Sequence, residues 1–152
     1  MNYFSQSYEH MDGLLEEMDS PYFKIVFDTG NPVFSDNRMG QPPYRKQSTW
    51  EAYQHLKDAV YYIHIKDGIF LEDKKETQYT YPGEGDGQVK RVLEDLLASG
   101  YDGGISIAPH MGSVYHESNE NSEPAGDIKY NIYIEYGKRI MKMVEEITES
   151  DN

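Results

Sequence analysis

The 152-residue chain contains no cysteine, so it can build neither a disulfide framework nor a thiolate metal site. It has no run of about 18 apolar residues, the length that a membrane-spanning helix requires. Its amino terminus, MNYFSQSYEHMDG, lacks the basic start and apolar stretch of a secretory signal. A cytoplasmic protein with no membrane partner is the expectation. Basic residues are scarce: 14 Lys and Arg face 27 Asp and Glu, a formal net charge of −13. Such a surface repels phosphate backbones and argues against a nucleic-acid partner. Low-complexity tracts and internal repeats are also missing.

What is present suits one ordinary domain over residues 1–152. Fourteen Tyr, five Phe and one Trp supply aromatic mass for a core. Residues 5–18 bring Tyr8, Met11, Leu14, Leu15 and Met18 to one helical face. Asp19-Ser20-Pro21 ends that helix, and 22–28 reads as a strand. The stretch 31–47 holds three Pro and one Gly and reads as a loop. Ser48 to Glu51 form a capping box, opening a helix that turns Ala52, Tyr53, Leu56 and Ala59 inward.

Residues 60–68 form the next strand, and a polar loop runs on to Gly87. The spacing of Val89, Val92, Leu93, Leu96 and Leu97 predicts a helix over 88–98, stopped at Ser99-Gly100. Residues 103–110 are the third strand. A polar loop over 111–127 precedes a helix at about 128–148, with Tyr133, Tyr136, Ile140, Met143, Val144 and Ile147 on one face. Trp50, Tyr53 and Tyr133 are expected in the core, and His10, His55 and His116 at the surface or in loops.

Strands separated by helices imply parallel pairing through right-handed crossovers. Alternation along the strands sorts their residues onto two sides. One side carries Ile25, Phe27, Tyr61, Ile63, Ile65, Ile105 and Ile107, all apolar, and should receive the helices. The other carries Val26, Asp28, Val60, Tyr62, His64, Lys66, Ser106, Ala108 and His110, and turns polar toward the strand ends. A doubly wound sheet would be apolar on both faces. A barrel, with helices outside and polar groups at its C-terminal mouth, fits better. The Asp-Thr-Gly at 28–30 could belong to an aspartic protease, but amphipathic helices between strands contradict that nearly all-β fold.

Four segments in order, FDTGN (27–31), IHIKDG (63–68), PGEGDG (82–87) and GYDGGISIAPH (100–110), resemble the C-terminal part of the sugar phosphate isomerase/epimerase family, whose members are xylose-isomerase-like TIM barrels. The resemblance covers about residues 5–148. It implies an α/β fold: a partial (β/α)8 TIM barrel of about three parallel strands with four helices, the last three βα units. The first five strands have no counterpart in the sequence, so the resemblance describes a fragment, a truncated member or one piece of a split barrel.

The resemblance also implies chemistry. Family members hold a divalent metal with a Glu, an Asp, a His and a second Glu at strand ends, and the two glutamates move the proton beside the substrate carbonyl. Asp28 matches the Asp and His64 the His. The first Glu would lie upstream, and Ala108 occupies the position of the second, reading Ala-Pro-His where the family has Glu-Pro-His. Lys66, Asp67, Asn31 and His110 are expected to contact substrate, a sugar or sugar phosphate. Mn, Mg, Co or Zn would suit such ligands, and binding by this chain is in doubt with two of four ligands present. Bland roles stand beside these: a turn cap for Asp28, a hydrogen-bonded lumen histidine for His64, and a salt-bridged strand end for Lys66 and Asp67.

Gly83, Gly85 and Gly87 faintly resemble a phosphate-binding loop. Glu84 and Asp86 would repel phosphate, so the segment reads as a turn with Asp86 near the helix N-cap, and secondarily as a substrate-side loop.

The functional expectation is a piece of a metal-dependent isomerase or epimerase, inactive alone because its glutamates are missing. A non-catalytic remnant that oligomerises or binds a partner is the alternative. A relative of the abasic-site endonucleases is a lesser one, since Asn31 stands where such a pattern wants His. Three parallel strands leave two open edges and an uncovered face, which predicts self-association or a complementing barrel half.

Overall fold

The computed structural model describes residues 7–111 and 125–150. Helix α1 (Tyr8–Met18) opens at Ser7, whose Oγ accepts from the His10 amide, and closes on left-handed Asp19. Strand β1 (Ile25–Asp28) leads into a one-turn helix α2 (Asn31–Phe34) started by Pro32. Helix α3 (Thr49–Leu56) begins as its capping residue predicts: Ser48 Oγ accepts from the Glu51 amide. A 3₁₀ turn (Lys57–Ala59) delivers the chain to β2 (Val60–Ile65). Strands β3 (Asp67–Leu71) and β4 (Glu76–Thr80), helix α4 (Val89–Ala98), strand β5 (Gly104–Ile107) and helix α5 (Ala125–Ser150) follow.

The main sheet has the order β1-β2-β5, and both pairings are parallel. Phe27 lies level with Ile63, and Ile63 with Ile105. Asp28 lies level with His64, and His64 with Ser106. The two faces inferred from alternation are therefore the two faces of the sheet from Val26 onward. This is a mixed α/β structure consistent with part of a TIM barrel, and the described strands do not close.

The apolar face is covered. Ile25, Phe27, Ile63 and Ile65 are buried against Ala52, Tyr53 and Leu56 of α3, Val92, Leu93 and Leu96 of α4, and Tyr136, Ile140 and Ile147 of α5. Val92 and Leu93 have no exposed surface, and truncating Leu93 to Ala would cost about 2–5 kcal/mol. The Tyr53 hydroxyl donates to Asp95, and Lys57 pairs with the same carboxylate at 3.2 Å, joining α3 to α4.

Several expectations need correction. Tyr61, assigned to the covered face, is 68 % exposed. Ile25 pairs with Val60 and Val26 with Tyr62, so Tyr61 is the extra residue of a bulge and swings outward. Tyr133 is 42 % exposed, because the buried stripe of α5 runs through Tyr136, Ile140 and Ile147 instead. Trp50 is only partly buried, with the Arg91 guanidinium 3.9 Å above its ring. The N-cap of α4 is Gln88, with Asp86 two residues before it as expected.

The polar loop expected after 68 contains the β3–β4 hairpin, whose turn has no Gly or Asn and relies on Lys75 at φ 54°. The 31–47 loop contains α2 and one antiparallel bridge, Asp36 to Lys46. His10 and His55 lie near the surface as expected, His10 against Ser7 and His55 stacked on Tyr8. His116 and most of the 111–127 loop lie outside the described residues.

Candidate functional site

The C-terminal ends of β1, β2 and β5 gather most of the polar residues singled out by sequence. Asp28 ends β1 and is fixed by the turn behind it: Oδ1 accepts from the amides of Gly30 and Asn31, each at 2.9 Å. Oδ2 faces the Lys66 ammonium at 3.1 Å, with the two side chains 11 % and 9 % exposed. Lys66 also donates to Asn31 Oδ1 at 2.6 Å. The turn-cap reading of Asp28 thus holds, and its second oxygen is paired with Lys66.

Thr29 holds this geometry in place. Its hydroxyl donates to the Lys66 carbonyl at 2.6 Å and accepts from the Lys66 amide at 3.0 Å. Its amide donates to the His64 carbonyl, and its own carbonyl accepts from Thr49 Oγ1 at 2.8 Å. Thr29 and Thr49 are buried, so β1, β2 and the start of α3 are clamped through satisfied hydrogen bonds. Gly30 has a specific purpose: a Cβ there would lie 2.9 Å from Lys66 Cγ and Cε.

His64 is half-buried on the same face, edge-on to Tyr62 at 5.7 Å. The Ala108 amide continues the ladder by donating to the Ile65 carbonyl, which sets the Ala108 methyl on this face beside Lys66. His110 stacks on Tyr79 at 4.9 Å, and Tyr79 meets Phe34 edge-on at 5.3 Å. Burial and then the Lys66 ammonium hold the His110 imidazole below its usual pKa, with Asp28 opposing them. Burial and then the Asp28 charge push the Tyr79 hydroxyl up. Tyr79 was missed by sequence reasoning because its strand was. The alternation of Thr77, Tyr79 and Tyr81 was the available signal.

Asp67 departs from the expectation of a substrate contact or a salt-bridged strand end. It is 1 % exposed, and all its acceptor capacity goes to backbone amides. Oδ1 accepts from Gly68 and Gly87 at 2.8 Å, and Oδ2 from Gly83 at 2.8 Å and Gly85 at 3.2 Å. The glycine loop is an anion nest, but the anion is the protein's own. Outside the nest, Arg139 of α5 pairs with Glu84 and lies 4.0 Å over the Tyr81 ring.

Two open surfaces flank this site. A cavity of about 180 Å³ beside β1 is lined by Ser7, Tyr8, Met11, Val26, Asp28 and Asn31, among others. A groove of about 620 Å³ between β5 and α5 is lined by Ile105, Ile107, Gly137, Ile140, Met141 and Val144, among others.

Comparison with known proteins identifies the architecture. The xylose isomerase-like TIM barrel family matches residues 1–129. This chain belongs to that family. Within it, the chain is 32 % identical over 109 residues to an inosose dehydratase of Clostridium tetani, covering 67 % of the chain and 35 % of that protein. It is 25 % identical over 146 residues to an inosose dehydratase of Salmonella typhimurium, covering 93 % of the chain and 43 % of that protein. A solved xylose isomerase domain protein from Planctomyces limnophilus shares the fold, with a TM-score of 0.62 at 19 % identity over 95 % of the chain and 44 % of that structure. The chain therefore spans about a third to two fifths of these relatives.

A divalent metal, implied by the family resemblance, fits the described donors poorly. Asp28 and His64 do share a level and a face. However, no group of three or more His, Asp or Glu that could hold an ion occurs among the described residues. Ala108 contributes a methyl, and Asp28 already answers a lysine. No reaction step through a metal can be derived from these residues.

Proposed function

We propose that the chain is the C-terminal portion, one incomplete domain, of a sugar-modifying barrel of the isomerase, epimerase or dehydratase kind, and that it recognises ligand without turning it over alone. The observation that carries this reading is the level row Asp28, His64 and Ser106 on the face opposite the helices, with Lys66, Asn31 and His110 beside it. The name inosose dehydratase, borne by relatives, supports a carbohydrate ligand for this row. Ketose isomerisation or dehydration beside a carbonyl needs a base and a group that stabilises the enediolate charge. The family resemblance assigns both tasks to glutamates and metal, and the alanine at 108 supports inactivity.

Asn31, Lys66 and His110 are proposed to meet ligand, while Asp67 positions the strand end. The outer edges of β1 and β5, which pair with no further strand among the described residues, and the groove beside α5 support a complementing barrel portion, or a second copy, as partner. A non-catalytic remnant is the second reading, and Ala108 is the observation that favours it.

Saturation-transfer NMR with a panel of ketoses, cyclic polyols and sugar phosphates tests the proposal. Binding weakened by Asp28→Asn and His64→Ala, without turnover in Mn, Mg, Co or Zn, is expected. Absence of binding by the whole panel sinks the sugar reading, and turnover by the chain alone sinks the claim of inactivity.

A further inference from the structure

We propose that the Lys66 ammonium is the cation of this site, so that ligand engagement by this chain needs no divalent ion. The inference rests on the sugar-recognition reading above and adds to it the chemistry of the contact. Every contact around Asp28 points the same way. Its Oδ1 is taken by the amides of Gly30 and Asn31, and its Oδ2 by Lys66. A divalent ion seated on Oδ2 would stand beside an ammonium, with no second carboxylate at position 108 to offset the repulsion. The lysine is also deliberately accommodated. Gly30 leaves room that a Cβ would fill, and Asn31 Oδ1 orients the ammonium at 2.6 Å.

The cluster has unused capacity of a particular kind. Lys66 spends hydrogens on Asp28 and Asn31, leaving one N–H without an acceptor among the described residues. The Asn31 side-chain NH₂ has no acceptor among them either, and Asp28 Oδ2 retains a lone pair. Two donors and one acceptor on neighbouring atoms match adjacent hydroxyls, each of which both donates and accepts. They match a phosphate or carboxylate less well, because Asp28 neutralises Lys66 and the whole chain carries −13. The ligand class is therefore a neutral polyol or hydroxyketone.

The test uses the full ¹⁵N-labelled chain, with myo-inositol as a cyclic polyol probe in the millimolar range. In EDTA, amide shifts at Gly30, Asn31 and Lys66 are expected, and they should be unchanged when Mg²⁺ or Zn²⁺ replaces EDTA. Lys66→Met should weaken binding at least tenfold. Because that variant leaves Asp28 without its partner, the double variant Asp28→Asn/Lys66→Met serves as a second one, folded as judged by its spectrum and also without binding. Shifts that arise only after Zn²⁺ addition, or a 1:1 calorimetric Zn²⁺ site abolished by His64→Ala, would overturn the lysine assignment while leaving sugar recognition standing. Absence of shifts under every condition would overturn both.

Discussion

Replacing Asp67 removes the anion around which residues 83–87 fold. Asp67→Ala deprives four amides of their acceptor, and the bonds from Gly68 and Gly87 are fully buried. A buried donor left unpaired costs about 1–3 kcal/mol. Counting the two buried amides alone puts the loss at about 4 kcal/mol, with water able to reach the other two. Set against a typical stability of about 5–15 kcal/mol, this is a large share. At about 2–4 °C per kcal/mol for a chain of this size, the melting temperature should fall by about 8–16 °C.

Asp67→Asn keeps one oxygen and points an NH₂ at two amide donors, so its loss should be intermediate, about 2–3 kcal/mol. Urea and thermal unfolding followed by circular dichroism measure both, and hydrogen exchange at Gly87 should accelerate in the same order. A stability of Asp67→Ala within about 0.5 kcal/mol of the parent would refute the nest, as would Asp67→Asn being the worse of the two.

Three further outcomes are expected. Gly87→Ala would set a Cβ 2.7 Å from Asp67 Oδ1 and 3.1 Å from the Thr29 carbonyl, and should cost about 1–3 kcal/mol; Gly13→Ala in α1, with nothing within 4 Å, should instead stabilise by about 0.5–1 kcal/mol, and denaturation midpoints of the pair check the contrast. His110 should titrate below the ordinary imidazole value of 6.5, so its contribution to stability is present above that pH and is lost as pH falls through the folded value. Lys66→Met should raise that titration and Asp28→Asn lower it, as read from imidazole proton shifts. Met141 is 65 % exposed at the β5–α5 groove, so the chain should associate with rising concentration and bind a hydrophobic dye. Met141→Lys should reduce both, whereas a parent that scatters light as a monomer and binds no dye would contradict the open groove.

The parts of this fold set by local patterning could be read from residues. Ser48 before Thr49-Trp50-Glu51 announced α3, and the apolar spacing of 89–97 announced α4. Alternation in 25–28 and 60–65 identified the face that carries Asp28 and His64, and the parallel register agrees. Tyr61 was misassigned because a single bulge residue reverses the side that alternation predicts. The β3–β4 hairpin was hidden because its turn, Glu72 to Lys75, uses charged residues and one left-handed lysine in place of Gly or Asn. Its loss from the sequence reading hid Tyr79, and with it the aromatic wall beside His110.

Partnership between distant side chains was the least accessible feature. Asp67 follows Lys66 in sequence and looks equally available, yet one carboxylate is enclosed by glycine amides while the neighbouring ammonium turns to Asp28. Nothing in the local pattern distinguishes them, since the choice is made by residues 16 to 20 positions away in one case and 38 in the other. The metal expectation shows the same boundary. Sequence could register the alanine at 108, but only geometry reveals that Asp28 already has a cationic partner.

Three parallel strand ends bring Asp28, His64 and Ser106 level on the face opposite the helices. Cross-strand nuclear Overhauser effects between backbone protons of β1, β2 and β5 measure this arrangement. The parallel pattern is expected, with contacts at the levels Phe27–Ile63–Ile105 and Asp28–His64–Ser106. An antiparallel pattern would contradict it, as would a slip of one residue that sets Asp28 level with Ile63 or Ile65 and turns its carboxylate toward the helices.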